Sequence, residues 1–95
     1  GIHPAKMCHR ITAQQWSTIC EAMQTILQAA IEQEGSTLSD GTYRNALNDP
    51  GGYQNMHRVY DKENKTCPTC HNQTIERIVQ AQRSTFFCKD CQTRA

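Results

Sequence analysis

Four cysteines, arranged in two Cys-x-x-Cys pairs, are the residues of this 95-residue chain best suited to chemistry. Cys67 and Cys70 form the first pair, Cys88 and Cys91 form the second, and 17 residues separate the two pairs. A Cys-x-x-Cys turn directs two sulfurs toward one point, so two facing turns make a tetrahedral set of four sulfur ligands. This pattern is typical of structural zinc sites. The spacing therefore predicts that the four cysteines bind one structural Zn2+ ion.

Other uses of the same cysteines are open at this stage. The two pairs could form disulfides, and a site of four sulfurs also accepts iron. Cys67, Cys70 and His71 match a haem c attachment pattern, but this leaves the second pair unexplained. A thioredoxin-like redox site would need a βαβ context that the sequence does not show. Zinc is the leading interpretation, because a tetrahedron of four sulfurs suits an ion that has no redox chemistry.

The composition restricts the classes of protein that fit. With 37% hydrophobic residues the chain cannot enclose a large enzyme core. A bound metal would supply the additional stabilisation that a domain of this size needs. A net charge of +1 means that any basic surface must be local. There is no apolar run of 18 residues and no signal-peptide pattern, so we expect no membrane partner. Four of the six cysteines fit a metal pattern, which favours a reducing, intracellular location.

The first half of the chain predicts a long amphipathic helix. Thr12 and Gln15 fit a capping box at its start, and Gly35 is a natural residue for the C′ position at its end. We expect the apolar face to be core, with Cys20 buried in it, although part of the face could belong to a domain outside this sequence; no role is assigned to Cys8. The face comprises Trp16, Ile19, Cys20, Met23, Ile26, Leu27, Ala30 and Ile31.

The second half predicts an irregular stretch and then a zinc-ribbon hairpin. Residues 36–52 are rich in Gly, Asn and Pro, which favours a loop, and within it Tyr43 and Arg44 could stack on or pair with a nucleotide. Residues 75–79 and 84–87 are β-branched and aromatic, with a turn at residues 80–83 between them. The predicted fold is a small α+β protein with two parts, a helical segment with its loop over residues 1–52 and a zinc-finger β-hairpin over residues 53–95.

Several motifs follow one another in an order that resembles a known family. The most specific is the run from Gln82 to Cys88 joined to the four cysteines, and the resemblance extends over essentially the whole chain. Together the motifs resemble the C-terminal third of formamidopyrimidine-DNA glycosylase and its relative endonuclease VIII. They are Gly1-Ile2-His3-Pro4, the long helix, Gly35-Ser36-Thr37-Leu38, Val59-Tyr60, Cys67-Pro68-x-Cys70, Ala81-Gln82-Arg83-Ser84-Thr85-Phe86-Phe87 and Cys88-x-x-Cys91-Gln92.

The resemblance implies a base-excision-repair enzyme that flips a damaged base out of duplex DNA, cleaves its glycosidic bond and nicks the backbone as an AP lyase. The family's nucleophile is an N-terminal proline assisted by a glutamate. Here residue 1 is Gly, residue 2 is Ile and Pro4 is internal, so we expect this chain to be inactive alone. The implied partners are duplex DNA with damaged bases and an N-terminal catalytic domain outside this sequence.

The resemblance also assigns DNA contacts. Arg83 matches the arginine that the family places at the tip of the zinc hairpin, where a guanidinium can grip a phosphate. Gln82, Ser84 and Thr85 are implied as neighbouring contacts. The chain departs from the family where His71-Asn72 stand in place of a glycine that needs a positive φ. Asn72 is our candidate for that conformation, and His71 could in principle replace a thiolate.

A second departure is the stretch from Ser39 to Gly52, which is longer than, and unlike, the family loop that closes over an oxidised purine. It leaves the preferred lesion undefined, although its position suggests contact with the extruded base or its phosphate. The resulting hypothesis is a DNA-binding zinc-finger segment of a DNA glycosylase/AP lyase that acts on oxidised bases. The alternative is a zinc-ribbon module that binds another protein. A self-contained enzyme is disfavoured because no nucleophile–base constellation is visible.

Overall fold

Among the residues that the structure describes, one α-helix, one two-stranded hairpin and two short 3-10 helices form the regular structure. The computed structural model describes residues 1–36, 44, 49 and 51–94, and it divides into two units. The zinc unit, as we call it, comprises Gly1–Thr12 and Arg58–Ala95, and the helical unit comprises Ala13–His57. This grouping differs from the division at residue 52 expected from the sequence. The difference arises because Ile2 pairs with Thr93, which joins the first residues to the last.

Helix α1 spans Ala13–Glu32, so it begins directly after the predicted capping residue Thr12. The predicted long helix is confirmed, but the expectation that its apolar face forms the core is wrong for this chain. None of the helix residues is buried, and Cys20, which was expected to be buried, is exposed. Periodicity correctly identified the apolar face, but burial requires a partner surface, and the described residues offer the helix too little of it. The most exposed large side chains on it are Trp16, Met23, Ile26, Leu27 and Ile31.

The C-terminal end of α1 is closed by two residues with positive φ. The N–H of Gly35 donates to the carbonyl of Ala30 (2.8 Å), and that of Glu34 donates to the carbonyl of Ile31 (3.0 Å). These are the two bonds of a Schellman motif. The C′ residue is therefore Glu34 (φ 60°), and Gly35 (φ 81°) follows it. The sequence therefore predicted the correct turn for the end of the helix but placed the C′ residue one position too far along the chain.

Strands β1 (Glu76–Gln80) and β2 (Arg83–Phe87) pair antiparallel, which confirms the predicted hairpin; the first strand is shifted by one residue and the second begins one residue earlier than predicted. Only Ala81 and Gln82 lie between the strands, and both have positive φ (49° and 66°). Positive φ at both central residues is the type I′ geometry, which matches the twist of the two strands but favours Asn and Gly. The turn is therefore tight and fixed, yet it is built from residues that are strained in this conformation.

The core of the zinc unit is very small. It consists of Cys67, Ile75, Phe87 and Cys88, so two of its four buried apolar residues belong to the Cys-x-x-Cys pairs. The N-terminal segment adds to it, because the ring of His3 lies edge-on to that of Phe87 with centroids 4.6 Å apart. A core of this size cannot by itself stabilise the fold.

The amide of Gln92 fastens the N-terminal segment to the second Cys pair. Its Oε1 accepts from the N–H of Cys88 (3.0 Å), and its Nε2 donates to the carbonyl of Ile2 (3.1 Å). At the other end of the segment, Gln80 Nε2 donates to the carbonyl of Pro4 (3.1 Å). Side-chain amides with both a donor and an acceptor thus hold residues 2–4 along the hairpin.

Two sequence predictions fall largely outside the described residues. These are the role of Tyr43 and the shape of the stretch from Ser39 to Gly52, of which only residues 44, 49, 51 and 52 are described. Arg44 is exposed. Within the described part of the chain, no helix has the length and apolar character needed to cross a bilayer.

The strained hairpin turn yields a stability prediction. Replacing Ala81 with Asn and Gln82 with Gly should stabilise the hairpin by roughly 1 kcal/mol, because these residues adopt positive φ at lower cost. For a chain of this size the zinc-loaded protein should then melt about 4–8 °C higher, as followed by circular dichroism. Gln82→Val is the opposing control, since a β-branched residue at this φ should lower the melting temperature. An Asn-Gly variant that melts at or below the wild-type temperature would contradict the type I′ assignment.

Candidate metal centre and nucleic-acid surface

The first Cys-x-x-Cys pair lies in a short closed turn. The N–H of Cys67 donates to the carbonyl of Gln73 (2.7 Å), and the N–H of His71 donates back to the carbonyl of Cys67 (3.0 Å). A bridge between Thr66 and Thr74 closes the base of this turn. The second pair is closed in the same way, by a bond from the N–H of Gln92 to the carbonyl of Cys88 (2.9 Å).

His71 adopts the left-handed conformation that the first turn requires. Its φ is 59°, and Asn72, our candidate for that conformation, is not among the described residues with positive φ. That expectation was therefore wrong by one residue. The residue with positive φ is determined by the chain reversal immediately after Cys70. The higher propensity of Asn for the left-handed region does not decide it. His71 is exposed and is not part of the ligand cluster formed by the described residues, so it does not replace a thiolate.

The four predicted sulfurs converge on one point. Cys67 Sγ and Cys91 Sγ lie 3.8 Å apart, Cys70 Sγ and Cys88 Sγ lie 3.7 Å apart, and all four lie within 4.8 Å of one another. Zn–S bonds of about 2.3 Å in a tetrahedron separate the sulfurs by about 3.8 Å. A disulfide would need about 2.05 Å, so the sulfurs are arranged as ligands and not as bonded pairs.

The local backbone prepares one of these thiols to bind metal. N–H groups of Cys70 and Thr69 point at Cys67 and lower its pKa to about 6. Burial, together with the neighbouring cysteines, raises the pKa of Cys91 to about 12. Without metal at neutral pH, Cys67 is therefore mainly thiolate whereas Cys91 is a thiol, so binding of a cation to all four sulfurs must release protons.

The residues that the sequence assigns to DNA lie at the tip of the hairpin. Gln82 is in the turn and Arg83 is the first residue of β2, and both are exposed. Arg83 pairs with Gln80 across the hairpin, and the side chain of Gln80 is itself held by Thr85, whose Oγ1 donates to Gln80 Oε1 (2.9 Å). The backbone that carries Arg83 is thus held by the turn, by the strand pairing and by this bond.

Of the two hydroxyls beyond Arg83, that of Thr85 has its proton engaged within the hairpin, whereas that of Ser84 accepts a bond and keeps its proton. Since side chains alternate along a strand, Thr85 shares a face with Arg83 and Ser84 lies on the other face. Thr85 already donates its proton to Gln80, and Ser84 Oγ accepts from Arg77 Nε (2.8 Å). Arg77 was missed in the sequence. A two-residue turn at 81–82 sets a strand register in which Arg77 lies diagonally opposite Ser84 on the same face, so this contact could have been predicted from the register.

Charge is divided unevenly between the two units. The zinc unit contains nine of the ten Lys and Arg residues and four of the nine acidic residues, for a formal charge of +5. The helical unit contains one basic and five acidic residues, for a charge of −4. Four thiolates around one Zn2+ would contribute −2 and leave the zinc unit at +3. A basic surface is therefore local, and it coincides with the unit that contains the hairpin.

Sequence comparison places these features in a family. Residues 64–94 match the zinc finger found in FPG and IleRS. The formamidopyrimidine-DNA glycosylase of Polynucleobacter necessarius is 42% identical over 94 residues, which cover 99% of this chain and 33% of that protein. The chain corresponds to the C-terminal part of the formamidopyrimidine-DNA glycosylase family. It spans about a third of the length of the glycosylases that it matches.

Solved glycosylase structures have the same fold. The crystal structure of MutM (Fpg) from Thermus thermophilus superposes with a TM-score of 0.87 at 38% identity, covering 96% of this chain and 34% of that one. The Lactococcus lactis Fpg in complex with DNA containing N7-benzyl-Fapy-dG superposes with a TM-score of 0.82 at 34% identity, covering 96% and 32%. Together with the sulfur geometry, the zinc-finger match establishes a site for one structural zinc in this chain.

Loss of one ligand should unfold the zinc unit. Cys88→Ser removes a buried ligand that is 1% exposed, and three thiolates hold zinc far less tightly than four. We expect less than one equivalent of zinc by elemental analysis and loss of the dispersed amide resonances of residues 58–94. Cys8→Ser, at an exposed cysteine outside the cluster, is the matched control and should keep one zinc. Full zinc content and an unchanged spectrum in Cys88→Ser would contradict the four-sulfur site.

Zinc affinity should depend on pH in a defined direction. Because metal binding requires thiolates, and because Cys91 has a raised pKa in the metal-free protein, protons compete with zinc. The apparent affinity should therefore rise from pH 6 to pH 8, as measured by competition with a chromophoric chelator whose own pH dependence is known. Lowering the pH from 6 to 5 should reduce the apparent zinc affinity more steeply, because Cys67 also becomes protonated in this range. An affinity independent of pH over this range would show that thiolates are not the ligands.

Proposed function

We propose that the zinc unit binds the backbone of duplex DNA within a base-excision DNA glycosylase/AP lyase that acts on oxidised bases, and that it supports flipping of the damaged nucleotide. The observation that carries the proposal is Arg83, an exposed guanidinium at a fixed hairpin tip on the positively charged unit. The glycosidic and lyase chemistry is proposed for the full-length glycosylase and not for these 95 residues alone.

The chemistry of Arg83 suits a phosphate. A planar guanidinium can donate two parallel hydrogen bonds to phosphate oxygens, and such charge-assisted bonds are stronger than neutral ones. The contact gains most when the donor is held in place beforehand, since less conformational entropy is lost on binding. The zinc site, the turn and the bond between Gln80 and Thr85 restrict the backbone beneath Arg83 in this way.

Related structures support DNA as the partner. The Lactococcus lactis Fpg structures that superpose on this chain are complexes with DNA that contains a tetrahydrofuran, an abasic site or a modified Fapy-dG, and a MutM structure contains carbocyclic 8-oxo-G. A nucleotide must leave the base stack before its glycosidic bond can be reached. Phosphate contacts of the kind proposed for Arg83 position the duplex while carrying no sequence information themselves.

The exposed face of α1 supports the second proposed partner, the catalytic part of a full-length glycosylase. Met23, Leu27 and Ile31 are 57%, 59% and 69% exposed, although they lie on one continuous apolar stripe. Large apolar side chains that are clustered in this way mark an interaction surface. We propose that this stripe packs against the remainder of the glycosylase, which in the relatives is about twice as long as this chain.

The DNA role predicts a specific loss at Arg83. Arg83→Ala should weaken binding to duplex DNA by about 1–3 kcal/mol, the range for a charge-assisted hydrogen bond. It should also lower the slope of log affinity against log salt concentration by about 0.9, the value for one phosphate contact. Lysine should restore the slope but only part of the affinity, because an ammonium cannot make the two-pronged contact. Damaged and undamaged duplexes should be affected equally.

Arg77→Ala is the matched control for this experiment. It removes the same charge from the same hairpin, but from the side chain that bonds Ser84 on the opposite face. Equal losses for the two variants would reduce the role of Arg83 to general electrostatics. An affinity and a salt slope unchanged by Arg83→Ala would reject the phosphate contact and favour a protein-binding role for the hairpin. Zinc content should be the same in all variants.

A further inference from the structure

A basic cleft lies within the zinc unit and does not involve the hairpin tip. Its volume is about 340 Å³, and its walls are the N-terminal segment and one residue near the C-terminus. Three of the six lining residues carry a permanent positive charge, a fourth is a histidine, and none of the six is acidic. The lining residues are Ala5, Lys6, Met7, His9, Arg10 and Arg94.

The fold brings these cations together from opposite ends of the sequence. The N–H of His3 donates to the carbonyl of Thr93 (3.4 Å), Ile2 and Thr93 form a parallel bridge, and the Gln92 side chain donates to the carbonyl of Ile2. Arg94 directly follows these contacts and so lies beside a segment that is more than 80 residues away in sequence. The arrangement is therefore a consequence of the fold and not of a local run of basic residues.

The local backbone presents the other cations on the same side. The N–H of Lys6 donates to the carbonyl of His3 (3.0 Å), which turns the chain, and a short 3-10 helix follows at Cys8–Arg10. Its last turn contains His9 and Arg10. Lys6, Arg10 and Arg94 account for three of the ten basic residues of a chain whose net charge is only +1.

Like charges gathered around a cleft repel one another, and an anion bound between them lowers this repulsion. Guanidinium groups on two walls suit a tetrahedral oxyanion, because each can donate two hydrogen bonds to it. The cleft volume falls in the range of small-ligand pockets and is ample for one phosphate. The lining offers no large exposed aromatic surface on which a base could stack, so the cleft favours the charged part of a nucleotide.

We propose that this cleft binds a phosphate group, with Arg10 and Arg94 as its principal ligands and Lys6 as a third cation. The phosphate could come from the DNA backbone or from a small phosphorylated molecule. The first source rests on the proposed DNA-binding function and would add a contact separate from Arg83, whereas the second does not depend on that function.

The test uses the 95-residue zinc-loaded chain and the double variant R10Q/R94Q, which keeps long polar side chains while removing two charges. In the first arm, binding to an undamaged duplex is measured as a function of salt. Loss of this one phosphate contact should lower the slope of log affinity against log salt by about 0.9. In the second arm, inorganic phosphate is titrated while the backbone amide resonances of residues 5–10 and 94 are followed.

Two further double variants control the test. K62Q/K65Q removes the same charge from the zinc unit at residues that do not line the cleft, and R10K/R94K keeps the charge. Zinc content and amide dispersion verify that every variant is folded. If the cleft binds DNA, R10Q/R94Q lowers the slope, whereas K62Q/K65Q lowers it much less and R10K/R94K preserves it.

The outcomes separate the two sources and also separate this proposal from the DNA-binding function. Saturable amide shifts with phosphate that R10Q/R94Q abolishes, without a change in the DNA salt slope, would assign the cleft to a small phosphorylated ligand. Equal effects of R10Q/R94Q and K62Q/K65Q in both arms, or none in either, would overturn the proposal. If Arg83→Ala weakens DNA binding while R10Q/R94Q has no effect in either arm, the proposal of a phosphate site in the cleft is rejected and the proposed DNA-binding function is kept. If the wild-type chain does not bind DNA, that function fails and the phosphate arm alone decides the cleft.

Discussion

Four thiolates held less than 5 Å apart repel one another strongly, and a cation among them makes their approach favourable. The zinc unit depends on this balance more than on burial, because Cys67 and Cys88 are themselves half of its four buried apolar residues. Removing the metal would therefore remove the centre of the core and leave two charged or protonated pairs in its place. Ile75 and Phe87 alone bury too little surface to hold two strands, a short N-terminal segment and two turns together.

The hairpin uses the rigidity of the metal site to fix the position of Arg83. Phe87 ends β2 next to Cys88, so the metal fixes one end of the strand while the turn at Ala81–Gln82 fixes the other. Both turn residues have positive φ without being glycine or asparagine, and such strain persists only where the surrounding structure determines the conformation. Arg83 lies directly beside it, on the unit that contains nearly all the basic residues. Because the helical unit has a net negative charge, the positive potential is limited to the zinc unit.

The features that were predictable from sequence are those that local spacing determines. The Cys-x-x-Cys pairs predicted the metal site, and two runs of β-branched and aromatic residues predicted the hairpin to within one position. Spacing did not indicate that His71 instead of Asn72 takes the positive φ, because the path of the chain between two ligands outweighs the propensity of either residue. The apolar period of α1 identified a face but could not show what covers it, and so Cys20 was wrongly expected to be buried. The pairing of Ile2 with Thr93 is a single long-range bridge with no period to reveal it. The DNA contacts assigned to Gln82, Arg83, Ser84 and Thr85 stay predictions.

The bridge between Ile2 and Thr93 also affects how the chain can fold. The zinc unit is discontinuous, since all 45 residues of the helical unit, Ala13–His57, are inserted between its two parts. Closing a loop of this length costs conformational entropy that only distant contacts can repay, which slows folding. During synthesis, α1 can form early from local hydrogen bonds, whereas the zinc unit cannot close until Cys91 and Thr93 have left the ribosome. Residues 1–12 must therefore wait for residue 93 before they can pair, so capture of a metal by all four cysteines follows the synthesis of Cys91.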